Sequence, residues 1–193
     1  MVVAASKRAL VYGCLQANTK YKHVLEFGVG VGTSMQYLVR HAPIGSEIFG
    51  FDTFEGLPED WIGRRGRLIE SKGTFSNGGV PPAIEGVRWF QGFFKDTIPE
   101  YLKIGQPLSL VHVDCDLYDS TVDVLYGIND LIMPGTTIVF DEWWFMHKDG
   151  TRKYNGHEQQ VFYKWVEEKQ RQFEFVEYPQ RGLTMQKIVK ITV

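Results

Sequence analysis

Short apolar runs recur along the chain, and most of them stop at a glycine or an aspartate. Residues 23–27 (HVLEF) read as a strand that ends at Gly28, followed by a helix over 33–41 and a stop at Pro43. Residues 47–51 (EIFGF) predict a second strand, ending at Asp52, before a loop with Gly56, Pro58 and Gly63. The glycine- and proline-rich stretch 73–82 (GTFSNGGVPP) reads as a mobile loop able to act as a lid. Residues 87–91 predict a third strand, and 96–102 a short helix capped by Asp96. A buried strand over 108–113 ends at Asp114 and leads to a helix over 120–131. Another strand over 136–140 ends at Asp141. Val161, Phe162, Trp165 and Val166 make one apolar face of a helix over 157–170. Strands over 173–178 and 184–191, separated by 179–182, suit an antiparallel hairpin.

Strands alternating with helices predict an α/β fold: a doubly wound, mostly parallel sheet with a C-terminal antiparallel hairpin. Ligands of such sheets bind at the carboxyl ends of the strands. No internal repeat or linker divides the 193 residues, so the reading is one domain over 1–193.

Charge changes this picture more than composition does. The formal net charge is only −2, which gives no basic field for nucleic acid. Yet no Lys or Arg lies between Lys103 and Lys148, while Asp114, Asp116, Asp119, Asp123, Asp130, Asp141 and Glu142 all do. Two cysteines are too few for a disulfide framework and predict reduced thiols in a cytoplasmic protein. The apolar start at residues 1–5 is too short for a signal peptide. No run of about 18 apolar residues exists to span a bilayer, so neither membrane nor nucleic acid is expected as a partner.

Two strand ends carry candidate cofactor chemistry. In the segment 26–34 (EFGVGVGTS), glycines let a ligand approach the backbone, and the next helix offers free amides at its start. Thr33 breaks the strict G-x-G-x-x-G spacing of dinucleotide folds, which disfavours a nicotinamide dehydrogenase. Asp52, at the next strand end, can accept two ribose hydroxyls, or it can cap the segment after it. Three carboxylates converging at strand ends with no basic residue nearby in sequence would repel one another unless a cation or a proton intervened.

The segments 26–33 (EFGVGVGT), 51–58 (FDTFEGLP), 91–99 (QGFFKDTIP), 112–121 (HVDCDLYDST) and 134–142 (PGTTIVFDE) resemble, in order and spacing, the S-adenosylmethionine-dependent methyltransferases of class I. They are most similar to the macrocin O-methyltransferase group, which methylates sugar hydroxyls of antibiotics. The resemblance implies S-adenosyl-L-methionine as cofactor, with Glu26, Gly28, Gly30, Thr33 and Ser34 around its amino acid part and Asp114 also among the cofactor-binding residues. It implies Asp52 and Thr53 at the ribose, and Gly92 and Phe93 at the adenine. It further implies Mg²⁺ or another divalent cation held by Asp114, Asp141 and Glu142, with Asp116 as general base toward a small hydroxylated acceptor. Where the group commonly has Gly and a second Asp, this chain has Cys115 and Glu142. Little chain precedes the first strand to form a substrate-covering segment.

Other residues admit two readings. Trp143, Trp144 and Phe145 could wall an acceptor ring or simply pack. His147 and His157 could be bases or ligands, or surface and capping residues. Arg64, Arg65 and Arg67 could meet an anionic acceptor or be solvated, and Cys115 reads as packing. Acceptors alternative to a sugar hydroxyl are a nitrogen or a catechol-like diol, and a non-catalytic cofactor-binding module is the alternative to an enzyme. The resemblance and the aromatic content leave room for a homodimer or higher homo-oligomer.

Overall fold

A computed structural model describes residues 7–63, 66–146, 152–179 and 184–193. A seven-stranded sheet runs β10-β11-β7-β6-β1-β2-β5. Its strands are β1 (His23–Phe27), β2 (Glu47–Asp52), β5 (Val87–Gln91), β6 (Leu108–Val113), β7 (Thr137–Phe140), β10 (Phe173–Val176) and β11 (Lys187–Ile191). The pairs from β7 through β6, β1 and β2 to β5 are parallel, and β11 is antiparallel to both β7 and β10.

Every residue of β1 and β6 is buried, as a central strand covered on both faces requires. Period-two alternation sends Val24, Leu110 and Val139 to one face, against helices α1 (Arg8–Gln16) and α2 (Thr33–His41). Leu25, Val111 and Phe140 face the other layer, formed by α3 (Phe94–Leu102), α4 (Tyr118–Gly127) and α5 (His157–Glu168).

Several expectations need correction. Helix α1 occupies a stretch for which no element was predicted. Its Ala9, Leu10, Gly13 and Cys14 are buried, and a side chain at Gly13 would meet Val139 Cγ2 at 2.3 Å. Helix α3 starts at Phe94 on a Phe93 cap, with Asp96 inside its first turn rather than capping it. Helix α4 ends at Gly127 and a 3₁₀ turn (Asn129–Leu131) follows. The loop after β2 contains a hairpin, β3 (Trp61–Ile62) with β4 (Leu68–Glu70), and Trp61 packs on Leu57 and Leu117. A second small pair, β8 (Trp144–Met146) with β9 (Arg152–Asn155), follows Glu142.

The stretch expected to be mobile is stitched to its neighbour. Gly73 N donates to Leu57 O, Leu57 N to Thr74 O, and Asn77 N and Gly79 N both to Phe54 O. Glycine content permits motion, but these bonds hold residues 73–79 against 54–57. No helix among the described residues is long and apolar enough to cross a membrane.

Candidate active site

The sheet register puts the site in one row. Phe27 pairs with Phe51 on one side and Val113 on the other, and Val113 pairs with Phe140. The next residue on each strand is therefore Asp52, Gly28, Asp114 or Asp141. The ladder continues one step into this row, with Gly28 N donating to Phe51 O, Asp114 N to Phe27 O and Asp141 N to Val113 O. Between β1 and β6 the chain reverses its direction across the sheet, which opens the crevice where such folds bind ligands. A cavity of about 700 Å³ fills that crevice.

At one end lies the glycine loop. Gly28, Gly30 and Gly32 have φ of +87°, +52° and +82°. A side chain at Gly28 would lie 1.7 Å from Asp114 O, so only glycine lets β1 and β6 approach this closely. Gly32 caps α2 without any side-chain acceptor for the first-turn amides, leaving a positive helix end facing the cavity. Thr33 and Ser34 line it there. The Asp52 carboxylate fixes the loop: Oδ2 accepts from Val29 N (2.8 Å) and Gly30 N (2.7 Å), and Oδ1 from Phe54 N (2.7 Å). A carboxylate has about four acceptor positions, so roughly one remains for a ligand. Asp52 therefore caps the loop, and it also lines the cavity with room for about one further hydrogen bond. Thr53, Gly92 and Phe93 complete that end, Phe93 half exposed over it.

Glu26 is placed differently from the expectation that it borders the cofactor. It is fully buried beneath the loop, does not line the cavity, and its Oε1 lies 2.8 Å from His112 Nδ1. Strand periodicity explains this, because Glu26 and His112 are direct partners across β1 and β6.

Beside the loop the cavity is acidic. Carboxylate oxygens of Asp114, Asp116 and Glu142 lie within 4.8 Å of one another. Asp141 sits beside them but is turned to other partners: it accepts from Gln186 Nε2, and its Oδ1 is 3.7 Å from His112 Nε2. A basic side chain does reach the acids, from far away in the sequence: Lys7. Its ammonium lies 3.7 Å from Asp114 and 3.8 Å from Asp141, so a cation already stands between two of the candidate ligands. A fifth acid, Glu158, is fully buried at the start of α5 and accepts from Glu142 N at 2.9 Å.

The ionisation of the cluster follows from this crowding. Burial, then the neighbouring charge of Asp141, pushes Asp114 up to about 7. The same two effects, burial and surrounding carboxylates, hold Asp116, Glu142 and Glu158 well above the usual carboxylate range. Burial opposes the charged form of His112, but Asp141 and Glu26 outweigh it and raise the imidazole to about 10. Asp141 is lowered: burial acts upward, and His112 with Lys7 prevails. Hard oxygen donors, an unpaired buried oxygen on Glu142 and an ammonium between two aspartates all fit a divalent cation.

Sequence reasoning missed Lys7, His112, Glu158 and Gln186. For His112 a signal existed, since it lies two residues before Asp114 on one strand and so shares its face. Lys7, Glu158 and Gln186 reach the site only through the tertiary fold. Trp143 packs in the core among Phe140, Phe162 and Phe175, which answers the wall reading for that residue. Cys115 is buried against Thr121, as expected of a packing residue. His157 opens α5 with its ring edge-on to Tyr118. His147, Arg64 and Arg65 and the Phe145 side chain lie outside the described residues.

Solved methyltransferases share this fold. The calicheamicin methyltransferase CalS11 aligns over 94% of this chain and 76% of its own, with a TM-score of 0.65 at 18% identity. The O-methyltransferase NovP aligns over 97% and 80%, with a TM-score of 0.65 at 19% identity. TomG of Streptomyces achromogenes, an O-methyltransferase of tomaymycin synthesis solved in complex with S-adenosylmethionine, covers 100% and 82%, with a TM-score of 0.58 at 17% identity.

In sequence, the family described as Macrocin-O-methyltransferase (TylF) matches residues 83–164. A curated protein of Streptomyces olivaceus, 8-demethyl-8-(2,3-dimethoxy-alpha-L-rhamnosyl)-tetracenomycin-C 4'-O-methyltransferase, is 29% identical over 157 residues. That alignment covers 69% of this chain, which spans 58% of the relative's length. The chain is thus similar in sequence to the TylF macrocin O-methyltransferases over residues 83–164, and similar in fold to solved methyltransferases.

Proposed function

We propose that this protein is a divalent-cation-dependent O-methyltransferase that moves a methyl group from S-adenosyl-L-methionine to a hydroxyl of a small molecule, a sugar of a natural product being the favoured class. One observation carries the reading: the glycine loop and the acid cluster line one cavity, side by side on adjacent strand ends. The sugar class is supported by the S. olivaceus relative, whose name specifies the 4'-hydroxyl of a rhamnosyl group.

Asp114, Asp141 and Glu142 would hold the cation, taking the place of the Lys7 ammonium between the two aspartates. Gly28, Gly30 and the start of α2 would receive the amino acid part of the cofactor, with Asp52 and Thr53 at the ribose and Gly92 and Phe93 at the adenine. The bound cation would supply a fixed positive charge that orients the acceptor hydroxyl and makes it more acidic, and the cofactor an electrophilic methyl. Asp116 takes the hydroxyl proton. Burial and its acidic neighbours raise its proton affinity, as a base working near neutrality requires. The rest of the rate comes from holding acceptor and methyl donor in line. The test is transfer of a ¹³C-labelled methyl to a panel of glycosides, with the labelled atom located by NMR. Label on oxygen supports the proposal; label on a nitrogen or a catechol oxygen selects one of the alternative acceptors.

The acid cluster also sets a pH dependence. Asp114, raised to about 7, contributes stability that is complete below the ordinary carboxylate pKa and is lost as pH rises through about 7. His112 acts in the same direction, its contribution being lost as pH rises from its ordinary value through about 10. Asp141 has the opposite sign but acts only below its ordinary pKa. The Tm of the metal-free protein is therefore expected to fall from pH 5 to pH 8, and Mg²⁺ to raise it more at pH 8 than at pH 5. Thermal melts at both values, with and without Mg²⁺, check this.

A further inference from the structure

Asp141 and Glu142 sit where the sheet lets go of the chain. Asp141 N still reaches Val113 O, but Glu142 N has left the ladder, and its partner is the Glu158 carboxylate, Oε2 at 2.9 Å. Helix α5 supplies that partner from a fixed base, because Val161, Phe162 and Trp165 lock it into the core. The helix start is also joined to the turn directly. Gly156 N donates to Trp143 O at 3.0 Å, and a side chain at Gly156 would lie 1.8 Å from Glu142 O. Two bonds thus hold one short backbone segment against the end of a helix. Neither Glu158 Oε1 nor Glu142 Oε2 has a partner, and both are buried.

We infer that Glu158 is a positioning residue of the cation site, acting through the Glu142 amide to set the turn that presents Asp141 and Glu142. It touches no reacting atom. The inference rests on the proposal that these acids hold a divalent cation, and it adds that Glu158 acts by reach rather than by charge. A carboxylate charge there would act on a cation from any nearby position, whereas the hydrogen bond needs an oxygen at one point.

Two substitutions separate reach from charge. Glu158→Gln keeps the length and an accepting oxygen but removes the charge. Glu158→Asp keeps the charge but is one methylene short. The measurement is Mn²⁺ affinity of the cofactor-free protein, read from the free-ion EPR signal, with S-adenosylhomocysteine binding as the check on folding. E158Q is expected to stay within about threefold of wild type, and E158D to bind about tenfold or more weakly, the range seen when an outer partner of a metal ligand is removed. E158D binding as tightly as E158Q, or more tightly, overturns the inference while leaving the cation site standing. If E158D does not fold, E158Q decides alone, and a tenfold loss in it assigns the role to charge. Absence of Mn²⁺ binding in the wild type removes the cation reading and the inference with it.

Discussion

Asp116→Asn is expected to lower kcat by about 10²- to 10⁴-fold, the range for loss of a positioned general base, with little change in S-adenosylhomocysteine affinity. The backbone explains why this substitution reports on chemistry. Asp116 has φ of +62°, a left-handed conformation that asparagine adopts as readily as aspartate. The turn between β6 and α4 therefore survives the change. What disappears is an oxygen that can accept a proton inside a cavity crowded with carboxylates. A pH profile sharpens the result, because the rising limb set by Asp116 in the wild type should be missing from the residual activity of the variant. Full turnover by the variant with every accepted substrate would remove Asp116 from its role.

Removing the cation should have an effect of similar size. Exhaustive chelation is expected to reduce methyl transfer by about 10³-fold or more, since a bound ion contributes several kcal/mol of charge stabilisation, and added Mg²⁺ should restore it. Asp114→Ala should lose the same activity without rescue. The reason for choosing Asp114 is geometric: it belongs to the oxygen cluster with Asp116 and Glu142, and it also meets the Lys7 ammonium at 3.7 Å. Any cation that enters must deal with it. Metal-free protein should still fold, because Lys7 and His112 already offset part of the negative charge. Transfer that continues undiminished after chelation would instead make the acids a proton-handling cluster with Lys7 as their permanent counter-ion.

How much of this was legible in the sequence depended on distance along the chain. The strand ends Gly28, Asp52, Asp114 and Asp141 were readable because each closes a local apolar run, and a run of that length fixes both strand and terminus. Helix α1 was not, since small residues such as Ala9 and Gly13 carry its contact with the sheet and leave no strong apolar stripe. Glu26 was drawn toward the cofactor by its place beside the glycines, yet strand alternation turns it under the loop to His112. Lys7 and Glu158 could not be found at all: one arrives from before the first strand and the other from α5, and only packing brings them to Asp141 and Glu142. The charge reading was therefore incomplete. A stretch without Lys or Arg is not a site without a basic group.

The glycine loop and the acid cluster are claimed to be two halves of one active site, and a crystal grown with S-adenosylhomocysteine and Mn²⁺ tests that claim most directly. The expected result is an anomalous peak touching Asp114, Asp141 and Glu142, with Lys7 displaced, Asp116 free to face the acceptor, and the homocysteine carboxylate at the start of α2. A peak away from these acids, or one ligated by Asp116 itself, would contradict the assignment.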